Sequence, residues 1–187
     1  LAGLKVEMVP GEEKNIKVTR KEDFALAETL IGSDVRTASG YDVHKFKDGD
    51  HIWLCGLKVP HTHGLEGHSD ADVGLHAITD ALLGCIGEGD IGQHFPDTSA
   101  EFKNIDSKIL LRDVIRLIGE KGYRIMNIDV TLCLEKPKIA PHIPEMRKTL
   151  CNTMGIPEED LSIKATTNEK MGFIGRQEGV VCYAVTL

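Results

Sequence analysis

Between residues 107 and 135 the apolar residues change their period, and that change limits what the chain can build. Leu110, Val114, Leu117 and Ile118 fall on one stripe of a helix over Ser107–Lys121, with Gly122 placed to end it. Directly afterwards, within Tyr123–Glu135, Ile128, Val130, Leu132 and Leu134 recur at every second position, as on a strand with one buried face. One-faced helices and one-faced strands must cover each other. The expected class is therefore α+β, a small mixed β-sheet with helices packed on one face. The same alternation runs through the rest of the chain from Val35. A strand is expected within Val35–Phe46 around Gly40, and short strands at Ile52–Leu54 and Leu57–Val59 on either side of Gly56. His61–Ser69 reads as a loop. Ser69 as N-cap and Asp72 as its capping-box partner open a helix to about Ile86, with a stripe of Leu75, Ile78, Leu82, Cys85 and Ile86. Gly87–Ala100 is a loop, and Lys136–Pro144 holds three prolines. Ile143–Met154 is a helix stopped by Gly155, Leu161–Thr166 a strand, Asn168–Gly179 a loop, and Val180–Leu187 the last strand.

Residues 1–36 differ in character. Lys5–Val9 and Asn15–Val18 read as short strands around the turn Pro10-Gly11 and the polar run Glu12–Lys14. Thr19 and Glu22 have capping-box spacing ahead of a helix over Glu22–Leu30, which Gly32-Ser33 ends. The piece is too small to hold a core of its own. Two parts are thus expected, 1–36 and 37–187.

Composition excludes several classes of function. Lys and Arg number 22 against 29 Asp and Glu, a net charge of −7, and no basic run stands out, so nucleic-acid binding is not expected. No stretch approaches the roughly 20 apolar residues of a spanning helix, and residues 1–36 lack the pattern of a secretory signal. Cys55, Cys85, Cys133, Cys151 and Cys182 are odd in number and widely spaced, as free thiols of a reducing compartment would be, so a cytoplasmic location is expected. A first residue of Leu rather than Met is expected of a fragment, a processed form or part of a longer polypeptide.

Three constellations carry chemistry. Asp42 and His44, two apart on a strand, project together, with Val43 expected to face the core. His76 lies in one i, i+4 row with Asp72 and Asp80 on the following helix. One carboxylate and two imidazoles form the three-ligand layout of a catalytic zinc with an open fourth position, and Asp80 is placed to orient His76. Against this, a lone helical histidine is more often a satisfied polar residue, and His61, His63 and His68 are rival ligands. The second constellation runs from Gly89-Asp90-Ile91-Gly92 through Phe95-Pro96-Asp97-Thr98-Ser99. It suits a sugar hydroxyl or a phosphate, and equally a plain surface turn. The third, Ala165-Thr166-Thr167-Asn168-Glu169-Lys170 with Gly172-Phe173 and Gly175-Arg176, suits a diphosphate with a hard metal, or an ordinary polar loop. Lys136-Pro137-Lys138 is a weaker fourth feature.

Taken in order, SGYDVHKF, GLEGHSDADVGLHAITDALLG, GDIGQHFPDTS, KPKIAPHIPEMR and IKATTNEKMGFIGRQEG cover nearly all of Thr37–Leu187 and resemble the 2-C-methyl-D-erythritol 2,4-cyclodiphosphate synthase family. The resemblance implies an α+β fold, a homotrimer with sites between subunits, and zinc on Asp42, His44 and His76. It implies transition-state roles for His68 and Thr167, with Ser69 beside the former, and a second ion, Mg2+ or Mn2+, on Glu169. Asp90, Ile91, Gly92, Phe95, Pro96, Asp97, Thr98 and Ser99 match positions that hold the methylerythritol end of the substrate. Leu134–Ala140, with Leu134, Pro137, Lys138, Ile139 and Ala140 as the expected contacts, and Thr166–Glu169 match the cytidine and phosphate pocket, and Phe173 and Arg176 match further ligand-lining positions. Asn168 departs from relatives that carry a third Thr. The reaction so implied closes 4-diphosphocytidyl-2-C-methyl-D-erythritol 2-phosphate into a cyclic diphosphate and releases CMP, a step of the non-mevalonate isoprenoid pathway. The small cytidine diphosphate substrate replaces nucleic acid or membrane as the expected partner.

Within residues 1–36, VEMVPGEEKNIKVTRKEDFALAE is similar to the C-terminal tail of the 2-C-methyl-D-erythritol 4-phosphate cytidylyltransferase family, with Lys17 matching a phosphate-contacting lysine. The Gly-rich nucleotide segment of that family is absent, so this tail is not expected to be active alone. The resemblance implies the end of a fused transferase domain, against an unrelated extension. Two other functions fit the residues: a zinc phosphohydrolase that activates water, and a non-catalytic binding module around a structural metal.

Overall fold

The computed structural model describes residues 10–11, 16–31 and 34–187. The chain divides into two compact units, Leu1–Val35 and Arg36–Leu187. In the first, α1 (Lys21–Ile31) begins where the Asp23 carboxylate accepts the N–H groups of Thr19 and Arg20, each at 2.8 Å, and the Thr19 hydroxyl at 3.1 Å. Asp23, rather than Glu22, thus satisfies the open end of the helix. Residues 16–18 form no strand. Lys5–Val9, Glu12–Lys14, Asn15 and Gly32-Ser33 lie outside the described residues.

The second unit runs β1 (Ala38–Asp48), β2 (His51–Leu54), β3 (Leu57–Pro60), β4 (His63–Leu65), α2 (Val73–Cys85), α3 (Ile91–His94), α4 (Ser107–Glu120), β5 (Ile128–Cys133), α5 (Ile143–Met154), β6 (Leu161–Thr166), α6 (Gly172–Gly175) and β7 (Gly179–Thr186). Five strands form a mixed sheet in the order β4-β1-β7-β5-β6. Its only parallel pair among the described residues is β5 with β6, and β2 and β3 make a separate hairpin. Besides three short 3-10 turns, at Ala100–Phe102, Ala140–His142 and Glu158–Asp160, three elements are additions to the expected string. β4 has three residues, and α3 and α6 are four-residue turns, all too short to display a period.

The start of α2 also differs from expectation. Its N-cap is Asp72, whose fully buried carboxylate accepts the N–H groups of Leu75 (3.0 Å), Cys55 (2.7 Å) and Gly56 (2.6 Å). One acid therefore caps the helix and ties it to the β2–β3 turn. Burial pushes its carboxyl pKa up, against these hydrogen bonds. Ser69 lies ahead of the helix, where its Oγ accepts the Ala71 N–H at 3.2 Å.

The core lies between the helices and one face of the sheet. Leu75, Ile78 and Leu82 of α2, Leu111 and Val114 of α4, and Met146 and Leu150 of α5 meet Val130, Leu132, Val180 and Cys182 of the strands. α2 approaches β1 so closely that a Cβ at Gly40 would stand 1.9 Å from the Ala77 carbonyl oxygen and 2.8 Å from the Ala81 nitrogen. Gly40 fixes the face on which β1 meets the helix, and Asp42 and His44, two and four residues on, share that face. Val43 therefore points the other way and is 43% exposed, contrary to the core position expected for it.

Val43 belongs with Tyr41, Tyr183 and Val185 on the outer face of the sheet, which Ile174 covers over Val181 and Cys133 and which is otherwise exposed at these four residues, the two tyrosine rings lying 5.1 Å apart. All five cysteines are free, and burial raises the thiol pKa of Cys55, Cys133, Cys151 and Cys182. No helix among the described residues is long and apolar enough to cross a membrane. Gly40→Ala is expected to push α2 off the sheet and cost about 3 kcal/mol, the upper part of the overpacking range. A lowered urea midpoint at unchanged m-value would register it.

Candidate functional site

The close packing of α2 on β1 brings together three side chains that lie up to 34 residues apart in sequence. Asp42 Oδ2 lies 3.0 Å from His44 Nε2 and 3.0 Å from His76 Nδ1, and the two ring nitrogens are 3.1 Å apart. Each side chain is held from behind. The second oxygen of Asp42, Oδ1, accepts the Val43 N–H at 2.9 Å. His44 Nδ1 faces the Glu66 carbonyl oxygen at 2.8 Å and so carries a proton; Nε2 then has a lone pair for an ion in the neutral ring and donates to Asp42 in the charged one. His76 Nε2 meets two hydroxyls, Ser107 Oγ at 2.9 Å and Ser69 Oγ at 3.1 Å.

Burial works against a charge on Asp42, yet the hydrogen bonds from the two imidazoles hold its carboxyl well below the usual carboxylate range. Burial likewise disfavours a charged His44, and the bond to Asp42 outweighs it, so the pKa of His44 rises. Among the described residues these three are the only group of His, Cys, Asp or Glu with atoms placed to share an ion. The fit is chemical as well as geometric. Ligands at about 2.1 Å from a common tetrahedral ion stand roughly 3.4 Å apart, close to the spacing here, and two imidazoles with one carboxylate are donors that zinc accepts.

The remaining candidates are distributed as follows. Asp80 does not reach His76 as expected: its Oδ1 accepts the Ile91 N–H at 2.7 Å and so anchors the Asp90–Ser99 segment to α2. Asp90 caps α3 by accepting the Gln93 N–H at 3.0 Å. Phe95 packs its ring on Phe102, and the Ser99 carbonyl meets His68 Nε2 at 3.3 Å. His68 and Ser69 therefore join this segment to the histidine cluster. His61 and His63, the rival ligands, lie apart from it. His61 stacks on Phe46 with ring centres 5.0 Å apart, and its Nδ1 accepts the His63 N–H at 2.9 Å.

A second concavity of about 200 Å³ opens where β5 and the parallel β6 both end. Leu134, Glu135, Pro137, Lys138, Ile139, Ala140, Ala165, Thr166 and Thr167 line it, so the two sequence runs Leu134–Ala140 and Ala165–Lys170 meet here. Glu135 Oε1 accepts the N–H groups of Asn168 at 3.0 Å and Lys170 at 3.1 Å, and so fixes the loop beyond β6. Its isolated place between a strand and a proline turn gave no signal of that bond. The Thr167 hydroxyl donates to Glu169 Oε1 at 2.9 Å, and both residues are exposed. The Arg176 guanidinium pairs with both carboxylate oxygens of Glu178 at 2.7 and 3.1 Å, while Phe173 is exposed nearby in sequence on α6.

A family model described as the YgbB family matches residues 35–187. The chain belongs to that family. It is 60% identical over 153 residues to a protein of Parabacteroides distasonis named 2-C-methyl-D-erythritol 2,4-cyclodiphosphate synthase, covering 82% of this chain and 95% of that one. It is 51% identical over 185 residues to a bifunctional enzyme IspD/IspF of Ruegeria pomeroyi, covering 98% of this chain and 49% of that one. The chain thus spans about half the length of the bifunctional relatives it matches. Among solved structures, the bifunctional IspDF of Campylobacter jejuni superposes with a TM-score of 0.80 at 37% identity, covering 98% of this chain and 50% of that one. The CDP complex of IspF from Plasmodium falciparum superposes with a TM-score of 0.72 at 34% identity, covering 81% and 93%.

His76→Ala is expected to weaken zinc binding by more than about 100-fold, beyond what loss of an outer hydrogen-bond partner costs. Competition with a chromogenic chelator measures this. Treatment of the unaltered protein with a chelator is expected to leave its far-UV circular dichroism intact, because the core is built without the cluster.

Proposed function

We propose that this chain, acting as a homotrimer, closes 4-diphosphocytidyl-2-C-methyl-D-erythritol 2-phosphate into 2-C-methyl-D-erythritol 2,4-cyclodiphosphate with loss of CMP. It is a cyclising phosphorus–oxygen lyase of the non-mevalonate isoprenoid pathway. The observation that carries the reading is the three-donor cluster of Asp42, His44 and His76, held in a family member 60% identical to a named synthase. In the reaction an oxygen of the 2-phosphate forms a bond to the β-phosphorus. The bond from that phosphorus to the bridging oxygen breaks, and CMP leaves with the oxygen. The attacking group is already on the substrate, so the protein's task is to bring two ends together in line.

Asp42 Oδ2, His44 Nε2 and His76 Nδ1 would hold zinc. Glu169, an exposed carboxylate beside a strand end, fits Mg2+ or Mn2+ as the one protein ligand of an ion that otherwise takes water and phosphate oxygens. When bound, the two ions offset phosphate charge that would oppose the attack, and thereby let a chain of net charge −7 accept a polyanion. The protein's own groups do the positioning. Leu134, Pro137, Lys138, Ile139, Ala140 and Thr166 receive the cytidine and its phosphates, a reading supported by the CDP complex of the Plasmodium falciparum relative. Asp90, Ile91, Gly92 and Phe95–Ser99 receive the methylerythritol end. His68 and Thr167 donate hydrogen bonds to the transferring phosphoryl group, with Ser69 beside His68, and Phe173 and Arg176 line the ligand space. Asn168 in place of a third Thr has a local role, since its Nδ2 donates to the Met171 carbonyl at 2.8 Å within the loop.

The trimer reading has its own support. Counted along the sheet, β1 with its metal donors and β6 with the pocket are three strand spacings apart, about 14 Å. Sites between subunits would join the pocket of one chain to the metal donors of the next. The exposed part of the outer face, carrying Tyr41, Val43, Tyr183 and Val185, is the apolar surface such an assembly would bury. Residues 1–36 we read as the end of a fused cytidylyltransferase domain plus linker, inactive alone, because the alignments to bifunctional relatives extend through them. A cytoplasmic location accords with the free cysteines.

The deciding experiment follows products by phosphorus NMR in water enriched in oxygen-18. CMP and the cyclic diphosphate in equal amounts, without label in either, are expected. Labelled open-chain phosphates would overturn the cyclase and establish a phosphohydrolase. Lys138→Ala is expected to raise KM about tenfold with a smaller change in kcat, as loss of a binding contact does.

A further inference from the structure

His44 and His76 reach the cluster through different nitrogens, and each must keep its proton on the other nitrogen to present a lone pair there. For His44 a backbone carbonyl, Glu66 O, ensures this. For His76 the partners are hydroxyls, which both donate and accept, so a hydroxyl alone does not choose the tautomer. Ser107 has one hydroxyl proton. Its Oγ lies 2.5 Å from Asp70 Oδ1, and a carboxylate oxygen only accepts. The proton goes to Asp70, which leaves Ser107 Oγ to accept from His76 Nε2–H at 2.9 Å.

We infer that Asp70 and Ser107 are positioning residues for the metal: their hydrogen bond fixes the proton of His76 on Nε2 and turns Nδ1 toward Asp42 and His44. The inference rests on the reading of Asp42, His44 and His76 as the metal site. Asp70 is itself held rigidly. Its Oδ2 accepts the Ser107 N–H at 3.0 Å, its Oδ1 accepts the Asp72 N–H at 3.2 Å, and its own N–H donates to the Ile105 carbonyl at 3.1 Å. Ser107 is only 1% exposed at the first turn of α4, so water does not compete for its proton. Ser69 is the weaker partner. It lies farther from the ring, already accepts from the Ala71 N–H, and has no carboxylate to take its proton.

The test uses the complete chain with 15N-labelled histidine. Long-range proton–nitrogen spectra of the metal-free protein, recorded across a pH series so that the neutral ring is identified directly, are expected to give a pyrrole-like Nε2 and a pyridine-like Nδ1 for His76 in that form. Ser107→Ala is expected to move the ring toward the Nδ1–H form, with its proton on Asp42, and to weaken zinc binding by about 10- to 100-fold. Its circular dichroism should remain that of the unaltered protein. Asp70→Ala should move both readouts in the same direction. A purely structural clamp between the loop and α4 would change melting temperature and leave the tautomer alone. Tautomer and zinc affinity both within twofold of wild type in Ser107→Ala would overturn the inference. Should that variant not fold, a wild-type His76 found with its proton on Nδ1 overturns it instead. A wild-type chain that takes up no zinc would overturn the metal-site reading, and the metal-free spectrum would still decide the proton's place.

Discussion

The contact between the backbone of β1 at Gly40 and that of α2 at Ala77 and Ala81 sets every later distance in the molecule. A side chain there would hold the two elements apart. Without one, the helix lies against the strand, and His76, the residue before Ala77, comes within hydrogen-bond reach of Asp42. The fully buried Asp72 secures the start of the same helix by accepting three backbone N–H groups from two elements. Burying a carboxylate is costly unless it is well satisfied, and Asp72 meets that condition. The metal donors thus sit on rigid elements rather than loops, which is what a site needing sub-ångström placement requires.

The cluster makes little sense as an ordinary polar network. Two nitrogens and one oxygen converge to about 3 Å, and no arrangement of their protons satisfies all three contacts at once, because in a triangle of contacts two atoms must meet as two donors or two acceptors. A divalent ion resolves the convergence.

Much of this was legible in the sequence, for identifiable reasons. α5 and β6 begin and end where the pattern placed them, since Gly155 adopts a left-handed conformation with φ 70° and the strand alternates cleanly. Asp42 and His44 were readable from a two-residue period, and His76 from a helical row. The side of the strand was not readable: a lone Val43 between two polar residues suggests a core position, whereas the helix lies over the polar side. Asp80 was placed correctly on the helix but not in its contact, because the row said nothing of the Ile91 N–H waiting beyond the helix end. Asp70 and Ser107 lie 37 residues apart and meet only because two loops are clamped together, so spacing had no means of pairing them. Likewise, the uncovered tyrosines look in sequence like any outward strand residues.

The first and last strands of the second unit are paired neighbours, with Ala38 level with Thr186 and His44 level with Val180. Both ends of this fold therefore emerge at one corner, on strands hydrogen-bonded to each other. Tension applied to these two ends would part the strands one pair at a time from Ala38 and Thr186, so four pairs, Ala38 to Tyr41, would open before Asp42 was reached.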